Sequence, residues 1–443
     1  MKITNLPVDP GLSGWTCLLP EPSPAKVLDS RITADFLIIG GGFAGMAAAR
    51  RLAQLHPKVR IVLLEARRFA EGPAGRNSGF MIDLPHDLAS DGYGGMIERD
   101  IATTRANRAG ISFAAEMARE YGLSDEVFSQ SGKTNAAAGA RGHQLNLDYG
   151  AHLAQMGEAH TLLDAAQMRE MTGTEYYRSG LHTPGAAMIQ PAGFIRGVAE
   201  GLQSSGVLLF ENTPVIELCR NQDWTAQTPA GAVTAPKIIL AVNGHAQSFG
   251  HFKRRLLHVF TYASMTRALS ADECRLLGGV PRWGVTPADP MGTTVRRISG
   301  MGGDRIIIRN RFTCDPSMQV SARRLAHVGR DHDKAFAARF PMLKGVEMAY
   351  RWGGRLCLSR NNVPAFGEVE PGLYAACCQN GLGTAKGTLH GRLAAELASG
   401  VQSDLLSQVL AQPGPERLPP RAFTTIGANA VMRWGEFKAG REM

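Results

Sequence analysis

The stretch that decides the fold is Phe36–Ala49, FLIIGGGFAGMAAA, in which a four-residue apolar run meets three consecutive glycines and then an alanine-rich segment. The apolar run predicts a buried strand, and the alanines predict a helix that ends before Pro57. Arg60–Glu65, RIVLLE, predicts a second buried strand. A strand, a glycine turn, a helix and a second strand within about 30 residues form one βαβ unit of a parallel sheet.

The glycines fit the pattern Gly40-x-Gly42-x-x-Gly45. The first permits a tight turn, the second lets a pyrophosphate approach the backbone, and the third lets the helix lie close to the strand. The helix N-terminus offers free N–H groups and its positive dipole end to phosphates. Glu65 ends the second strand, where an acidic residue accepts hydrogen bonds from ribose hydroxyls. The sequence therefore predicts a dinucleotide site and leaves open, at this point, which dinucleotide binds.

Several classes of protein are disfavoured by what the sequence lacks. No second strand–glycine–helix unit follows, which disfavours separate flavin and NAD(P)H sites, and no Cys-x4-Cys pair marks a disulfide reductase. The seven cysteines are scattered and odd in number, which indicates reduced thiols. Cys377 and Cys378 lie in an apolar run and are interpreted as buried hydrophobic residues. No spacing of Cys, His and carboxylates indicates a metal site.

The length and the charge of the chain further limit the classes of protein to which it can belong. The 443 residues predict two packed domains. The formal net charge is +9, but no basic run is interleaved with aromatic residues, so we favour a solvated basic surface over a nucleic-acid site. No stretch of about 18 apolar residues is free of charges, and the N-terminus has no basic region followed by an apolar run. We therefore expect no membrane span, no secretory signal and a cytoplasmic protein.

The rest of the chain contains segments for which the sequence predicts different kinds of structure. Residues 1–33 are rich in Pro, Gly and Ser and predict an extended leader. Apolar runs at Pro236–Val242 and Leu373–Cys378 predict further buried strands, and the second runs into a glycine turn and a helix at Thr388–Ser399. Between about residues 250 and 350 the runs are strand-like, with a long helix predicted at Ala322–Arg339.

Five stretches together resemble the D-amino-acid oxidase/glycine oxidase superfamily of FAD-dependent oxidoreductases, in particular its γ-glutamylputrescine oxidoreductase-like branch. They are ADFLIIGGGFAGMAAARRLA with Glu65, AGRNSG at 74–79, KIILAVNGHA at 237–246, YRWGGRLCLSRNNVPAFGE at 350–368 and LYAACCQNGLGTAKGTLHGRLAAELASG at 373–400. The resemblance covers essentially the whole chain, and it is the combination that makes it specific.

The resemblance implies an α/β fold with a Rossmann-like FAD domain of the glutathione-reductase type and an inserted α+β substrate domain with a mixed sheet. The FAD domain is expected from residues 1–98, 186–249 and 352–443, and the substrate domain from residues 99–185 and 250–351. The implied reaction oxidises the C–N bond of an amine or amino acid to an imine by hydride transfer to the flavin, and the imine then hydrolyses. Two alternatives stay open: a flavin-carrying subunit that passes electrons to a partner, and a flavoprotein without turnover.

By the same resemblance, FAD binds noncovalently, and the N-terminus of the last helix stabilises the negative charge that a reduced flavin carries near N1 and O2. Arg67 or Arg68 is expected on the adenine side. The expected contacts are Gly40, Gly42, Phe43, Ala44 and Gly45 at the pyrophosphate; Glu65, Ala66, Arg67, Arg68 and Val215 at the adenosine; Ala74, Gly75, Arg76, Asn77, Ser78 and Gly79 beneath the flavin; Asn243 and Gly244 after the strand at 236–242; and Asn380, Gly381, Leu382, Gly383 and Thr384 at the O2 edge.

An amino acid substrate would need an arginine for its carboxylate, because a bidentate pair fixes orientation as well as charge. Relatives keep such an arginine in a strand pair that corresponds to Arg296 or Arg297. Arg309 is a further candidate, because it lies two residues from Ile307 and therefore on the same strand face. We take Arg297 and Arg309 as the candidate catalytic residues.

The chain also departs from its relatives. Leu382 stands where many have a histidine between two glycines, and Ile307 stands where sarcosine-type oxidases have a lysine for reaction with oxygen. Both oxygen and another electron acceptor therefore stay open. Cys357 falls near, but not on, the position of a covalent flavin cysteine.

Four further polar residues lie near the expected pocket, and for each a structural role is the favoured interpretation. They are Asp83, His86, Tyr262 and His245.

Overall fold

The computed structural model describes residues 1–85 and 93–443 and contains two large sheets, two small sheets and the helices that cover them. The helices are α1 Gly14–Cys17, α2 Phe43–Leu55, α3 Ile97–Glu120, α4 Ala140–Gln155, α5 Ala165–Thr172, α6 Pro191–Ser204, α7 Ala271–Leu277, α8 Ala322–Arg339, α9 Ala385–Ala398, α10 Asp404–Leu410 and α11 Arg421–Ala439. The strands are β1 Arg31–Thr33, β2 Phe36–Ile39, β3 Ile61–Leu64, β4 Phe80–Met81, β5 Phe128–Ser129, β6 Lys133–Ala137, β7 Thr161–Leu163, β8 Ser179–Thr183, β9 Ala187–Ile189, β10 Leu208–Phe210, β11 Glu217–Arg220, β12 Trp224–Gln227, β13 Ala232–Ala235, β14 Lys237–Leu240, β15 Leu257–Thr266, β16 Trp283–Pro287, β17 Thr294–Ile298, β18 Arg305–Cys314, β19 Met348–Leu358, β20 Ala365–Glu370 and β21 Leu373–Cys377.

The first large sheet has six strands in the order β10-β3-β2-β14-β21-β20. Its strands run parallel except for the edge strand β20, which pairs antiparallel with β21. Every residue of β2 and β3 is buried, because helices and loops cover both faces of a parallel sheet. The predicted βαβ unit is confirmed: β2 and β3 pair in parallel, and α2 connects them.

Helices α2 and α9 pack against each other with unusually close backbones. A Cβ atom added to Gly391 of α9 would lie 2.0 Å from the carbonyl oxygen of Ala44 in α2. The absence of a side chain at Gly391 therefore allows the approach, and it brings the N-termini of both helices to the same region of the molecule.

The second large sheet has eight strands in the order β19-β15-β18-β17-β16-β6-β8-β7. It is mixed, because β16 and β6 pair in parallel while its other neighbours pair antiparallel. Helix α8, with the bounds that the sequence predicts, packs against β15, β18 and β19. The strands of the two sheets come from alternating parts of the chain.

Two details differ from the sequence-based expectations. The leader is more structured than an extended segment, because it contains α1 and the strand β1, and Trp15 is completely buried with its indole N–H donating to the carbonyl of Asn77 at 2.9 Å. Helix α9 begins at Ala385, three residues before the predicted start. The division into domains at the residues given above stays a prediction, and β19 extends across its expected boundary at 351–352.

Within residues 1–85 and 93–443, no helix combines the length and the apolar character needed to cross a membrane.

Candidate active site

One cavity is lined by residues of both large sheets. On the side of the six-stranded sheet its wall is formed by the turn Gly40–Ala44 and by Glu65, and on the side of the eight-stranded sheet by Thr286, Thr294 and Arg309. Most of the residues that the resemblance assigns to the cofactor line this cavity. Segments that lie far apart along the chain therefore line one continuous cavity.

The glycine turn has the geometry that its pattern predicts. Gly40 has a φ of +109°, which a side chain would strain, and a Cβ there would lie 2.6 Å from the carbonyl oxygen of Ala241. Gly45 does not line the cavity, because its Cα faces the carbonyl oxygen of Gly40, only 1.8 Å from where a Cβ would stand. Gly45 is therefore a packing position inside the turn. Gly42 opens to the cavity, with only the Ala74 methyl within 3.6 Å of an added Cβ.

Glu65 is held at the end of β3 by backbone donors. The amide of Gly41 donates to its Oε2 at 2.7 Å, and that of Arg67 donates to its Oε1 at 3.0 Å. Burial raises the pKa of this carboxyl above its ordinary value, and these two N–H groups oppose that rise. Arg67 and Arg68 also line the cavity, and each already has an acidic partner: Glu71 for Arg67, and Glu211 for Arg68.

The loop AGRNSG divides into wall residues and structural residues. Ala74, Asn77 and Ser78 line the cavity, whereas Gly75, Arg76 and Gly79 do not. The Arg76 guanidinium donates instead to backbone carbonyls, at 2.6 Å for Glu71 and 2.9 Å for Gly11.

The side chain of Asn77 fixes the same loop from within. It donates to the carbonyl of Ala74 at 2.7 Å and accepts from the amide of Gly79 at 2.8 Å. The loop beneath the expected flavin is therefore held rigidly by its own polar groups.

The last glycine turn opens α9 towards the cavity. Gly381, Leu382, Gly383 and Thr384 line it, and Asn380 does not. The Asn380 side chain braces the turn, because it accepts from the amide of Ser359 at 2.8 Å and donates to the carbonyl of Val363 at 3.0 Å. The positive end of the α9 dipole therefore faces the cavity, and its expected contact with the flavin O2 edge stays a prediction.

A buried polar cluster borders the cavity beside Gly244, and Arg355 and Asp9 in it were not singled out from the sequence. The Arg355 guanidinium lies 2.5 Å from Nε2 of His245 and 3.3 Å from Oδ1 of Asp9. Burial and Arg355 lower the pKa of His245 to about 3, so its imidazole is neutral near pH 7. Asp9 comes from the leader, far along the chain from His245 and Arg355. The cluster is therefore visible only in the folded structure and not in the sequence. Val215, Asn243, Gly244 and Ala66 line the cavity as expected.

A row of polar residues crosses the eight-stranded sheet on the side facing the cavity. Asn135 of β6 pairs with Thr286, and Thr294 pairs with Arg309 of β18. The Thr286 hydroxyl donates to Oδ1 of Asn135 at 2.7 Å. Sequence reasoning singled out only Arg309 in this row, because strand register decides which polar residues become neighbours.

Arg309 is the charged member of that row. Its guanidinium carbon lies 4.6 Å from the centre of the Phe312 ring. In the part of the chain that the structure describes, no hydrogen bond or ion pair joins this guanidinium to another residue. Burial lowers the pKa of Arg309 to about 10, so the group remains charged near pH 7. A half-buried cation that faces a cavity and has no acceptor among the described residues is suited to bind an anionic group of a ligand.

Arg297 does not reach the cavity, which corrects the expectation that it faces a substrate. It pairs with Ile306, the neighbour of Ile307, so its side chain lies on the opposite face of the sheet from Arg309. There it donates to the carbonyl of Gly278 at 2.5 Å and lies 3.3 Å from Oδ1 of Asp304. Arg297 therefore serves packing on the far side of the sheet.

Arg296 lies on the near face, but its Nη1 is held by backbone carbonyls. It donates to the carbonyls of Gly79 at 2.8 Å and Ile189 at 2.7 Å, and its guanidinium lies over the Trp15 ring. It does not line the cavity. Of the three candidate arginines, only Arg309 is placed to touch a ligand.

The remaining candidates have structural partners. Asp83 pairs with Arg108 at 2.9 Å, and the Tyr262 hydroxyl lies 2.6 Å from the Thr313 hydroxyl. His86 lies outside the described residues. Cys357 lines the cavity as a free thiol whose pKa is raised well above its ordinary value by Cys378 and burial. No cluster of possible metal ligands occurs among residues 1–85 and 93–443.

Comparison with known proteins places the chain in a family. It belongs to the family described as FAD dependent oxidoreductase, which it matches over residues 35–397. It is 26% identical over 382 residues to a probable oxidoreductase, OrdL, of Rhizobium meliloti, with 83% of each chain covered. It is 25% identical over 363 and 359 residues, respectively, to OrdL of Haemophilus influenzae and to gamma-glutamylputrescine oxidoreductase of Escherichia coli, with 80% of each chain covered.

Solved structures share the fold at lower identity. Glycine oxidase of Geobacillus kaustophilus superposes with a TM-score of 0.68 at 19% identity, covering 87% of this chain and 99% of its own. L-amino acid deaminase of Proteus myxofaciens superposes with a TM-score of 0.67 at 16% identity, covering 90% and 96%. The predicted fold class and FAD as cofactor are confirmed, and the chain is an FAD-dependent oxidoreductase.

Proposed function

We propose that this chain oxidises the C–N bond of an amino acid to an imine, with the substrate carboxylate bound by Arg309. Bound FAD would accept the hydride equivalent, and the imine would hydrolyse after release. The single observation that carries the proposal is the cavity-facing guanidinium of Arg309, which has no acceptor among the described residues.

The residues present suit that cofactor. The N-termini of α2 and α9 both border the cavity, and Gly42 and Gly383 leave room there for a ligand to approach the backbone. The first helix end suits a pyrophosphate, and the second suits the negative charge of a reduced flavin.

The row of polar residues on the eight-stranded sheet would orient a bound substrate. A bidentate carboxylate on Arg309 would lie next to the Thr294 hydroxyl on the adjacent strand β17, with Thr286 one strand further along the row on β16. Two parallel N–H···O bonds fix both the position and the plane of the carboxylate. The amine end is thereby held at a fixed distance from the sheet, which is the positioning that hydride transfer requires.

An apolar part of the cavity wall would keep water away from the reacting bond. Phe80, Ile82 and Leu382 form a buried cluster that lines the cavity. A C–H bond placed against this wall would react away from bulk water, and the product imine would be protected until release. Leu382 therefore contributes apolar surface at a position where many relatives carry histidine.

A second candidate function differs in its electron acceptor. In it, the chain would be a flavin-carrying subunit that passes electrons to a partner instead of to oxygen. Ile307 is buried in an apolar cluster with Met265 and Trp352, so β18 supplies no amine at the position where sarcosine-type oxidases have one. Anaerobic reduction by substrate, followed by admission of air, distinguishes the two. Rapid return of the flavin colour with peroxide supports an oxidase, and bleaching that persists until a quinone or dye is added supports a dehydrogenase.

The proposal is tested by anaerobic bleaching of the flavin absorbance with amino acids and with the amines that lack only the carboxylate. In the wild type, we expect an amino acid to bleach at lower concentration than its decarboxylated counterpart. Arg309→Met removes a charge-assisted hydrogen bond of about 1.5–3 kcal/mol, so the half-saturating amino acid concentration should rise about 10- to 150-fold. The value for the amine should stay unchanged.

Arg297→Met is the matched control, because it removes an arginine one strand away that faces the opposite side of the sheet. It should leave the ratio between amino acid and amine unchanged. The proposal fails if Arg309→Met leaves that ratio as in the wild type, or if only amines without a carboxylate bleach the flavin.

A further inference from the structure

Helix α11 carries a large apolar surface that faces solvent. Phe423, Ile426, Val431, Trp434 and Phe437 are 72%, 70%, 69%, 60% and 76% exposed. At about 100° per residue, these five side chains fall within an arc of about 140° on one side of the helix. We call them the apolar face of α11. Soluble monomers rarely expose such a contiguous patch, so it marks an interaction site.

The orientation of this face is fixed by contacts on the other side of the helix. The Asn429 side chain accepts from the amide of Cys314 at 3.0 Å and donates to its carbonyl at 3.1 Å. Glu436 accepts from the amide of Phe312 at 3.0 Å and from the Arg311 guanidinium at 2.8 Å. These bonds join α11 to β18, so the apolar face points away from the body of the protein.

The charges of α11 are strongly one-sided. Glu436 is the only acidic residue of the helix; it is buried and pairs with Arg311 at 2.8 Å and with Arg433 at 2.9 Å, so the helix retains a net positive charge. The remaining charged side chains, Arg421, Arg433 and Lys438, are all cationic. By the same helical spacing, Arg433 and Lys438 lie at the two borders of the apolar arc.

The apolar face of α11 and its cationic neighbours together indicate which kind of partner would cover this surface. Two copies of the chain that paired through α11 would bring the cationic borders of the two helices together. An anionic lipid surface accepts both features, because apolar side chains enter the acyl boundary while long basic side chains extend to the phosphates. The formal net charge of +9 adds attraction of the whole molecule to such a surface.

We propose that the apolar face of α11 binds the surface of an anionic phospholipid bilayer, with the helix lying in the plane of the headgroups. Arg433 and Lys438 then lie at the level of the lipid phosphates on either side of the buried aromatic side chains. This inference does not depend on the substrate proposed above, because it concerns a different surface of the protein.

The test is sedimentation of the FAD-loaded full chain with vesicles of phosphatidylcholine that contain about one third phosphatidylglycerol. The variant combines Phe423→Ser, Trp434→Ser and Phe437→Ser. We expect wild-type protein to sediment with these vesicles and to bind pure phosphatidylcholine vesicles more weakly. The triple variant should lose at least about tenfold in vesicle affinity, with unchanged flavin content and turnover, because these exposed side chains lie outside the cavity.

Leu276→Ser is the matched control, because Leu276 is 61% exposed but belongs to α7. It should sediment like the wild type. The proposal is overturned if wild-type protein stays in solution with anionic vesicles, or if the triple variant binds as tightly as the wild type. It is also overturned if wild-type protein forms a dimer that the triple variant cannot form while neither binds vesicles, since the face would then belong to a second copy.

Discussion

At the scale of single residues, Arg297 and Arg309 show why only one of two candidate arginines faces the cavity. Both are arginines on neighbouring antiparallel strands of one sheet, and the residues that face them across the β17–β18 pair are Ile306 and Thr294. Side chains alternate between the two faces, so one step in register decides whether an arginine meets the cavity. The sequence identified both strands, but register depends on long-range pairing that one sequence does not reveal.

Lys133 is a residue that the sequence left unnoticed. It is buried at the start of β6, and its ammonium donates to Oδ1 of Asn135 at 2.5 Å. The same Oδ1 accepts from the Thr286 hydroxyl of the cavity wall. No carboxylate in the described chain forms an ion pair with this ammonium, and burial lowers the pKa of Lys133 to about 8. A lysine followed by threonine and asparagine gives no sequence signal of complete burial.

We expect Lys133→Met to change how stability depends on pH. The pKa of Lys133 is about 8 in the folded chain and 10.5 when unperturbed, so between these values the unfolded state binds more protons. The penalty of the buried charge is complete below pH 8 and disappears as the pH rises towards 10.5. Wild-type stability should therefore increase by about 1 kcal/mol relative to Lys133→Met between pH 7 and pH 9.

Urea unfolding of both proteins with saturating FAD at pH 7 and pH 9 measures this difference. Lys58→Met removes an exposed lysine and should keep the wild-type dependence. Equal pH dependence of wild type and Lys133→Met would contradict the expectation.

At the scale of elements, the sequence predicted helices and buried strands well wherever the signal is local. The run FLII becomes β2, with all four residues buried, and α8 has the predicted bounds, because apolar runs and helix formers act over a few residues. The leader was predicted less well. Its strand β1 forms only by pairing with β13, some two hundred residues later, and no local pattern announces such a partner.

The close contact of α2 and α9 gives a prediction for this scale. Gly391→Ala places a methyl group 2.0 Å from the carbonyl oxygen of Ala44, and this oxygen cannot move without shifting α2. We expect destabilisation by about 1–3 kcal/mol from overpacking, together with weaker retention of FAD, because the N-terminus of α2 moves relative to that of α9. Unfolding midpoints and FAD release under dilution measure the two effects.

Gly427 in α11 is the matched control, because it also lies inside a helix but has no atom within 4 Å of an added Cβ. Gly427→Ala should stabilise the helix by up to about 1 kcal/mol through propensity alone. A stabilising effect of Gly391→Ala would show that the two helices separate at little cost, against the packing argument.

At the scale of the whole molecule, the sequence revealed the cofactor far better than the substrate. The glycine turns expected to contact FAD are short motifs with a fixed physical purpose, so candidate residues could be assigned one by one, and most of them line one cavity. The proposed substrate end is built from β6, β16, β17 and β18, and the pairing of β6 with β16 joins segments more than a hundred residues apart along the chain. Arg355, His245 and Asp9 likewise meet only after folding, since their contacts join the leader to segments more than two hundred residues away.

The C-terminus ties several of these segments together. Oε1 of Glu442 accepts from the amide of Ala138 at 2.8 Å and from that of Gly139 at 3.1 Å, at the junction of β6 and α4. The backbone carbonyl of Glu442 accepts from the Arg339 guanidinium at 2.8 Å, at the end of α8. Burial raises the pKa of the Glu442 carboxyl to about 7, which makes this connection sensitive to pH.

We expect Glu442→Gln to remove a pH-dependent part of the stability. The folded pKa of about 7 lies above the unperturbed 4.5, so the folded state binds more protons between these values. The contribution is complete below pH 4.5 and is lost as the pH rises through 7. Between pH 5 and pH 7.5, wild type should therefore lose about 2 kcal/mol relative to Glu442→Gln, whose side-chain amide can still accept from both backbone amides.

Paired urea unfolding at the two pH values measures this difference in stability. Glu98→Gln, at an exposed carboxylate, is the control and should lose as much stability as wild type. If Glu442→Gln lost as much stability as wild type over this range, the buried carboxyl would not be the group that titrates.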